Sequence, residues 1–314
     1  MDLSRKDFIA LKYMSADEIL HVLDTAETMK YLLDKKNKKA PHLNGKSMIL
    51  LFYEPSVRTR LSYEMAGQFL SASVVNMEVS TLPENGGNLK EMGPLIDQMG
   101  VDFIVIRHPM SGSAELLAKY SKASVINAGD GLNENPAQSL MDLLTIRSHK
   151  KDFKGLKVTI IGDVAHSRVS RSNIWGLLKL GASLTISGPP TLIPPGIEEY
   201  GVKVCKDARE AATGADVIMS LRLKSERQQA NLMPSQNEYR NFFKIDEEML
   251  KCANKDAIVM HPGPINRGIE ISTKVIESER CLVDDQITNG VAVRMAQLYI
   301  LSLGNAKRET EGKK

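Results

Sequence analysis

Phe52-Tyr53-Glu54-Pro55-Ser56-Val57-Arg58-Thr59-Arg60 joins an apolar run to a helical pattern. Residues 47–52 follow the turn-like His42-Leu43-Asn44-Gly45-Lys46 and predict a buried strand. After Pro55 the period changes: Leu61, Met65 and Phe69 recur every four residues, one face of a helix starting near Ser56. A strand therefore ends, a short loop turns, and a helix begins with Ser, Arg and Thr in its first turn. Free backbone N–H groups and the positive end of the helix dipole meet at such a point. Ser and Thr hydroxyls add donors, and Arg58 adds a bidentate one. That chemistry suits a phosphate without a Gly-rich loop. The same residues also suit an ordinary serine N-cap flanked by surface arginines, and the local sequence leaves both readings open.

Outward from this junction the strand-helix rhythm repeats. Ser15, with Glu18 three residues on, predicts a capped helix carrying Ile19, Leu20, Val22 and Leu23. Short apolar runs at 73–77, 103–106 and 125–127 are separated by helix-length sequence. Pro136 opens an amphipathic segment to His149, and residues 149–157 form a basic, Gly-containing hinge. Beyond it, strand candidates at 158–161, 184–187, 217–221 and 257–260 repeat the pattern. The fold class is α/β, with two doubly wound parallel-sheet domains and ligands at the carboxyl ends of the strands. The first domain takes residues 1–149 plus a returning C-terminal helix, 289–304; the second takes 150–288. The polar tail, 306–314, is expected to be disordered.

Composition narrows the function. The 314 residues suffice for two cores. A formal charge of +3 with 5% aromatics gives no basic, aromatic-lined surface, so no nucleic acid is expected as a partner. Lys35-Lys36-Asn37-Lys38-Lys39 reads as a solvated loop. Cys205, Cys252 and Cys281 stand far apart without a C-x-x-C pair, which fits a reducing, cytoplasmic location and neither a disulfide framework nor a zinc site. No apolar h-region follows the first residues and no run approaches the roughly 20 residues of a membrane span.

Several motifs taken together carry a resemblance. Ser56-Val57-Arg58-Thr59-Arg60 resembles the S-T-R-T-R phosphate motif of the aspartate/ornithine carbamoyltransferase superfamily, and the wider pattern is that of its aspartate branch. Arg107-His108-Pro109 ends a strand as in that branch. Asn127-Ala128-Gly129-Asp130-Gly131, continuing to Asn135-Pro136-Ala137-Gln138, resembles N-A-G-D-G … H-P-x-Q. Gly162-Asp163-Val164-Ala165-His166-Ser167-Arg168-Val169 resembles G-D-x-x-H-S-R-V. Residues 222–227 resemble R-x-Q-x-E-R, and residues 261–267 resemble H-P-G-P-x-N-R.

The resemblance implies a carbamoyltransferase using carbamoyl phosphate and L-aspartate, or another amino acid, with the active site between its domains and neither metal nor cofactor. Ser56, Val57, Arg58, Thr59, Arg107, Asn135 and Gln138 would hold carbamoyl phosphate. Arg58, Thr59, Arg107, Asn135 and Gln138 would be the catalytic group, donors to the developing oxyanion. Arg168, Arg222, Lys224, Gly263 and Pro264 would hold aspartate, one guanidinium fork for each carboxylate. Read without the resemblance, Arg168 can cap a helix and Arg222 can pair with Glu226 at i+4. A homotrimer with shared sites is implied, as is a regulatory or pathway-enzyme partner.

Four departures from the family pattern stand out, at three single positions and in one loop. Val57 replaces a threonine, Asn135 replaces the histidine at the carbamoyl carbonyl, and Lys224 replaces a glutamine. In the 80–88 loop Asn85 aligns with a lysine, and Thr81 or Leu82 lies near a serine. These departures keep two other readings open: a non-catalytic homologue with a structural or regulatory role, and a carbamoyltransferase for a different amine. A dinucleotide oxidoreductase is disfavoured, because no G-x-G-x-x-G follows the 158–161 strand.

Overall fold

The computed structural model describes residues 5–78, 88–223 and 235–311. Its contacts divide into two units, Met1–Leu144 with Thr288–Lys314, and Thr145–Ile287. The boundaries expected from sequence stood at 149/150 and near 289.

In the first unit, α1 (Ala16–Leu33), β1 (Ser47–Phe52), α2 (Val57–Phe69), β2 (Ser73–Glu78), α3 (Leu89–Gln98), β3 (Phe103–His108), α4 (Ser113–Tyr120), β4 (Ser124–Asp130) and α5 (Pro136–Lys150) follow one another. The apolar runs of β1, β3 and β4 become buried strands, covered on both faces, as a parallel sheet requires. The order is β2-β1-β3-β4, every pairing parallel. Ile49, Leu51, Ile104, Ile106 and Val125 pack with Leu89, Met92, Ile96 and Leu117 on one side. The Ser15–Glu18 capping box forms at the start of α1, with Ile19, Val22 and Leu23 buried.

Helix α2 departs from its expected orientation. Leu61 is 50% and Met65 39% exposed, while Tyr63, Ala66 and Gly67 are buried. Close approach decides this: a Cβ at Gly67 would stand 2.6 Å from Met48 Cε and 2.8 Å from Val74 Cγ2. The helix lays its small residues on β1 and β2 and turns its longer aliphatic stripe outward.

In the second unit, β5 (Lys157–Ile161), α6 (Arg168–Lys179), β6 (Ser183–Ser187), β7 (Lys203–Val204), α7 (Ala208–Ala212), β8 (Val217–Ser220), α8 (Gln236–Phe243), α9 (Glu247–Cys252), β9 (Ile258–Met260) and α10 (Thr273–Ile276) precede α11 (Val283–Glu311). The sheet is again parallel, ordered β7-β6-β5-β8-β9. The two-residue edge strand β7 was not expected; it is too short to show a period. Ile161, Ile218, Val259, Tyr239, Phe243 and Met249 form the core.

Helix α11 runs 29 residues, where a helix ending near 303 and a disordered tail were expected. Its later turns are tied down: Ser124 Oγ donates to Asn305 Oδ1 at 3.1 Å and Thr310 Oγ1 to the Ala306 carbonyl at 2.8 Å. A helix already nucleated extends through polar residues at little cost. Among the described residues no helix is long and apolar enough to cross a membrane, and the three cysteines are free thiols.

Candidate active site

In both sheets the first strand is flanked by strands reached in opposite directions, which opens a crevice at the carboxyl edge. In the first unit this point lies between β1 and β3. Phe52 pairs with Arg107, and the Tyr53 N–H donates to the Arg107 carbonyl at 2.8 Å. The loop after β1 and the end of β3 therefore sit at one level.

Ser56 occupies the N-cap of α2 but makes no side-chain cap bond. Its hydroxyl instead meets Thr59 Oγ1 at 2.9 Å. The other serines at helix N-caps do cap: Ser15, Ser167, Ser235 and Ser272 each accept an N–H of the following turn. Of the two readings open for this stretch, the plain serine cap is excluded. What remains is an uncapped helix N-terminus, lined by two hydroxyls and the exposed Arg58.

Arg107 is fixed on two sides. Its Nη2 lies 2.8 Å from Glu54 Oε1, with the side chains 13% and 12% exposed, and its Nη1 donates to the Ala128 carbonyl at 3.2 Å. Neighbouring His108 is held below the ordinary imidazole range by burial, against the opposing pull of Glu54 and Asp130. Its Nδ1 accepts the Met110 N–H at 3.0 Å, and its ring lies 4.5 Å from that of Tyr53.

Asn135 precedes α5 and is 6% exposed. Its Oδ1 accepts from the Gln138 N–H at 3.4 Å, a weak cap. Gln138 Nε2 donates to Asp142 Oδ1 at 3.0 Å within the core. The stretch leading to Asn135 hangs on a buried acidic network. Asp130 accepts from Asn127 Nδ2, the Gly112 N–H, Asn133 Nδ2 and the Glu134 N–H at 2.7–3.1 Å. Glu134 accepts the Leu11 and Lys12 N–H groups at 2.8 and 3.1 Å. Asp130, Glu134 and Asp142 are each 1% exposed. Sequence reading gave none of them a role, although an acidic residue inside an apolar block is a usable signal of buried hydrogen bonding. Arg294 of α11 sits 5.0 Å over the ring of Tyr63 on α2 and donates to the Gly290 carbonyl at 2.7 Å. Burial, with the charge of Arg58 adding to it, lowers the affinity of Arg294 for its proton.

The second unit assembles its own group of candidates. Arg168 is the first residue of α6 and 2% exposed; Ser167 caps that helix, so Arg168 does not. Gly162 lies against Leu221, a Cβ there standing 3.1 Å from Leu221 Cβ, which brings the segment after β5 beside Arg222. Glu270, with no exposed side-chain surface, then ties three segments together. It accepts the Leu223 N–H at 2.7 Å, the Asn266 N–H and Nδ2 each at 2.8 Å, and faces His261 Nε2 at 2.9 Å. His261 Nδ1 accepts the Gly263 N–H at 2.7 Å, so Nε2 carries the proton directed at Glu270. Gly263 has φ +60° and the Gly263–Pro264 bond is cis. Arg222, Gly263 and Pro264 are thus anchored on one carboxylate that the sequence did not single out.

Lys224, Glu226 and positions 79–87 of the loop that includes Asn85 lie outside the described residues. Asn88 caps α3 with a 3.1 Å bond from the Lys90 N–H, and the Lys90 ammonium lies 5.7 Å from the centre of the Tyr120 ring. Among the described residues no group of three or more His, Cys, Asp or Glu side chains is placed to hold a metal ion.

Comparison with known proteins follows this division. Residues 6–148 match the family described as aspartate/ornithine carbamoyltransferase, carbamoyl-P binding domain, and residues 154–301 match its Asp/Orn binding domain. The chain is 55% identical over 303 residues to the aspartate carbamoyltransferase catalytic subunit of Acetivibrio thermocellus, covering 96% of this chain and 97% of the relative. It resembles the ornithine carbamoyltransferase of Pyrococcus furiosus with a TM-score of 0.84 and 29% identity, covering 95% and 97% of the two chains. It resembles the Trypanosoma cruzi aspartate transcarbamoylase, solved with carbamoyl aspartate and phosphate, with a TM-score of 0.80 and 28% identity, covering 93% and 94%.

Proposed function

The chain belongs to the aspartate/ornithine carbamoyltransferase family, and on that premise we propose that it transfers the carbamoyl group of carbamoyl phosphate to the amine of L-aspartate. The products are N-carbamoyl-L-aspartate and phosphate, a step of pyrimidine synthesis. The observation that carries this reading is the uncapped start of α2, where Ser56 and Thr59 hydroxyls meet beside Arg58.

The phosphate of carbamoyl phosphate binds the first-turn N–H groups of α2, the two hydroxyls and Arg58. Val57 contributes its backbone N–H. Arg107, aimed by Glu54 and Ala128, polarises the carbamoyl carbonyl. The aspartate amine attacks that carbon, an oxyanion develops, and fixed donors stabilise it without reorganising. The C–O bond to phosphate then breaks, and the departing phosphate takes the proton that the amine gives up. Arg168 and Arg222, with Gly263 and Pro264, bind the aspartate carboxylates, supported by the Glu270 anchorage. Purified protein given carbamoyl phosphate and L-aspartate should form carbamoyl aspartate and release equimolar phosphate, with little product from ornithine. Product no faster than the uncatalysed background would end this reading and favour the non-catalytic homologue.

Asn135 tests the oxyanion role. Asn135→Asp keeps the oxygen that caps α5 and removes the amide donor. We expect kcat to fall about a hundredfold, the loss typical of one such donor, with the thermal midpoint held. An unchanged kcat would remove Asn135 from the catalytic group.

We also infer a homotrimer with shared sites, in the cytosol. Val57, Leu61 and Met65 form an exposed stripe on α2 at 66%, 50% and 39%, and Val75 of β2 adds a further apolar surface at 57%. The double variant Leu61→Lys, Met65→Lys should sediment as a monomer and lose activity. A variant that still sediments as a trimer would show that another surface holds the copies together.

A further inference from the structure

We propose that the second unit carries a separate pocket for a small aromatic carboxylate. A cavity of about 220 Å³ opens where the segments after β5 and β6 meet α6. Such carboxyl edges are where parallel α/β sheets place ligands. Its walls are Val164, Ile174, Pro194 and Ile197, with Trp175 and Tyr200 set edge-on at 5.1 Å and 74°. None of these residues belongs to either proposed substrate half-site.

Size selects the first feature of the ligand. A 150 Å³ apolar cavity takes one benzene, and drug-sized pockets begin near roughly 300 Å³. This cavity therefore fits one ring with a short arm. Shape selects the second. Two aromatic rings inclined at 74°, with Pro194 and Pro195, present faces and edges to a flat guest. Charge selects the third. Arg171 lines the pocket one turn before Trp175 on the same face of α6, and it is exposed. The neutral polar wall groups are Ser170 Oγ, which donates to the Val164 and Ser167 carbonyls at 3.2 and 2.8 Å, the Trp175 indole N–H and the Tyr200 hydroxyl. Among the described residues no acidic side chain lines the cavity. Recognition of a charged arm thus falls to the one guanidinium among the lining residues, whose planar fork matches a carboxylate.

Trp175 is the one tryptophan of the chain, so protein grown with 5-fluorotryptophan has a single 19F resonance, and that resonance sits in the pocket wall. The probe is 3-phenylpropionate, with its neutral amide as the control. A saturable shift is expected by about 10 mM, with affinity at least about tenfold weaker for the amide, for Arg171→Gln and for Tyr200→Ala. The circular dichroism spectrum and the transferase rate of both variants should match the parent. Absence of a saturable shift would overturn the proposal. So would equal affinity of the parent and both variants, which would put the ligand elsewhere.

Discussion

Arg107→Ala is expected to lower kcat/KM for carbamoyl phosphate by on the order of a thousandfold, the upper range for loss of one preorganised oxyanion donor. The side chain is charged, forked and held at 2.8 Å by Glu54 and at 3.2 Å by the Ala128 carbonyl. Its direction is fixed before substrate arrives, so the barrier carries no cost of orienting it. Truncation also takes a cation 2.8 Å away from Glu54, which is 12% exposed. Breaking a buried pair costs about 3–5 kcal/mol, and the residual exposure here puts the expected loss near the low end, about 3 kcal/mol. The two effects separate in the double variant Glu54→Ala, Arg107→Ala. Removing both charges should restore most of the denaturation midpoint while the activity stays lost. If the double variant recovered activity along with stability, Arg107 would be a structural residue and the oxyanion role would fall to other donors. Arg107→Lys should recover little, because a point charge cannot serve Glu54, Ala128 and substrate at once.

The second large effect is expected at Glu270. Glu270→Ala removes the acceptor of four donors: the Leu223 N–H, the Asn266 N–H and Nδ2, and His261 Nε2. The Leu223 N–H and His261 bonds are buried and the two Asn266 bonds part-buried, and neither the Glu270 nor the His261 side chain has exposed surface. Each buried group left unsatisfied costs about 1–3 kcal/mol, and partial rearrangement should hold the sum near 4 kcal/mol. Urea denaturation followed by fluorescence should show a clear drop in midpoint. The functional readout is selective, because Glu270 anchors the segments of Arg222, Gly263 and Pro264 and nothing in the first unit. The KM for aspartate should rise at least about tenfold, while the affinity for carbamoyl phosphate alone stays at the parent value. Equal loss of both affinities would mean general unfolding, and an unchanged aspartate KM would detach Glu270 from the acceptor half-site. Glu270→Gln keeps the shape but points an N–H pair at existing donors, so it should fall between parent and alanine variant.

Much of the fold was legible because its signals are local. The β1 run was predicted as 47–52 and observed as Ser47–Phe52, since a buried parallel strand is a bare apolar run bounded by turns. The Ser15–Glu18 box is a four-residue pattern and formed as read. The alternation of strands and helices specified two parallel sheets, and the motif blocks pointed to the segments now found at their carboxyl edges.

What the sequence by itself determined is therefore the element types, their order, the doubly wound class and the family chemistry carried by short motifs. What only the tertiary structure decided depends on groups distant along the chain. Glu134 accepts the Leu11 N–H 123 residues away, and Glu270 accepts the Leu223 N–H 47 residues away, so neither hub has a local signature. The face of α2 turned outward because Gly67 admits close approach to Met48 and Val74, a contact the four-residue period cannot encode. Ser56 was ambiguous for the same reason. A serine before a helix is a cap unless its hydroxyl is held elsewhere, and here it is held by Thr59. Periodicity is a property of neighbours along the chain, whereas satisfying a buried donor or seating a helix is a property of whatever the fold brings alongside.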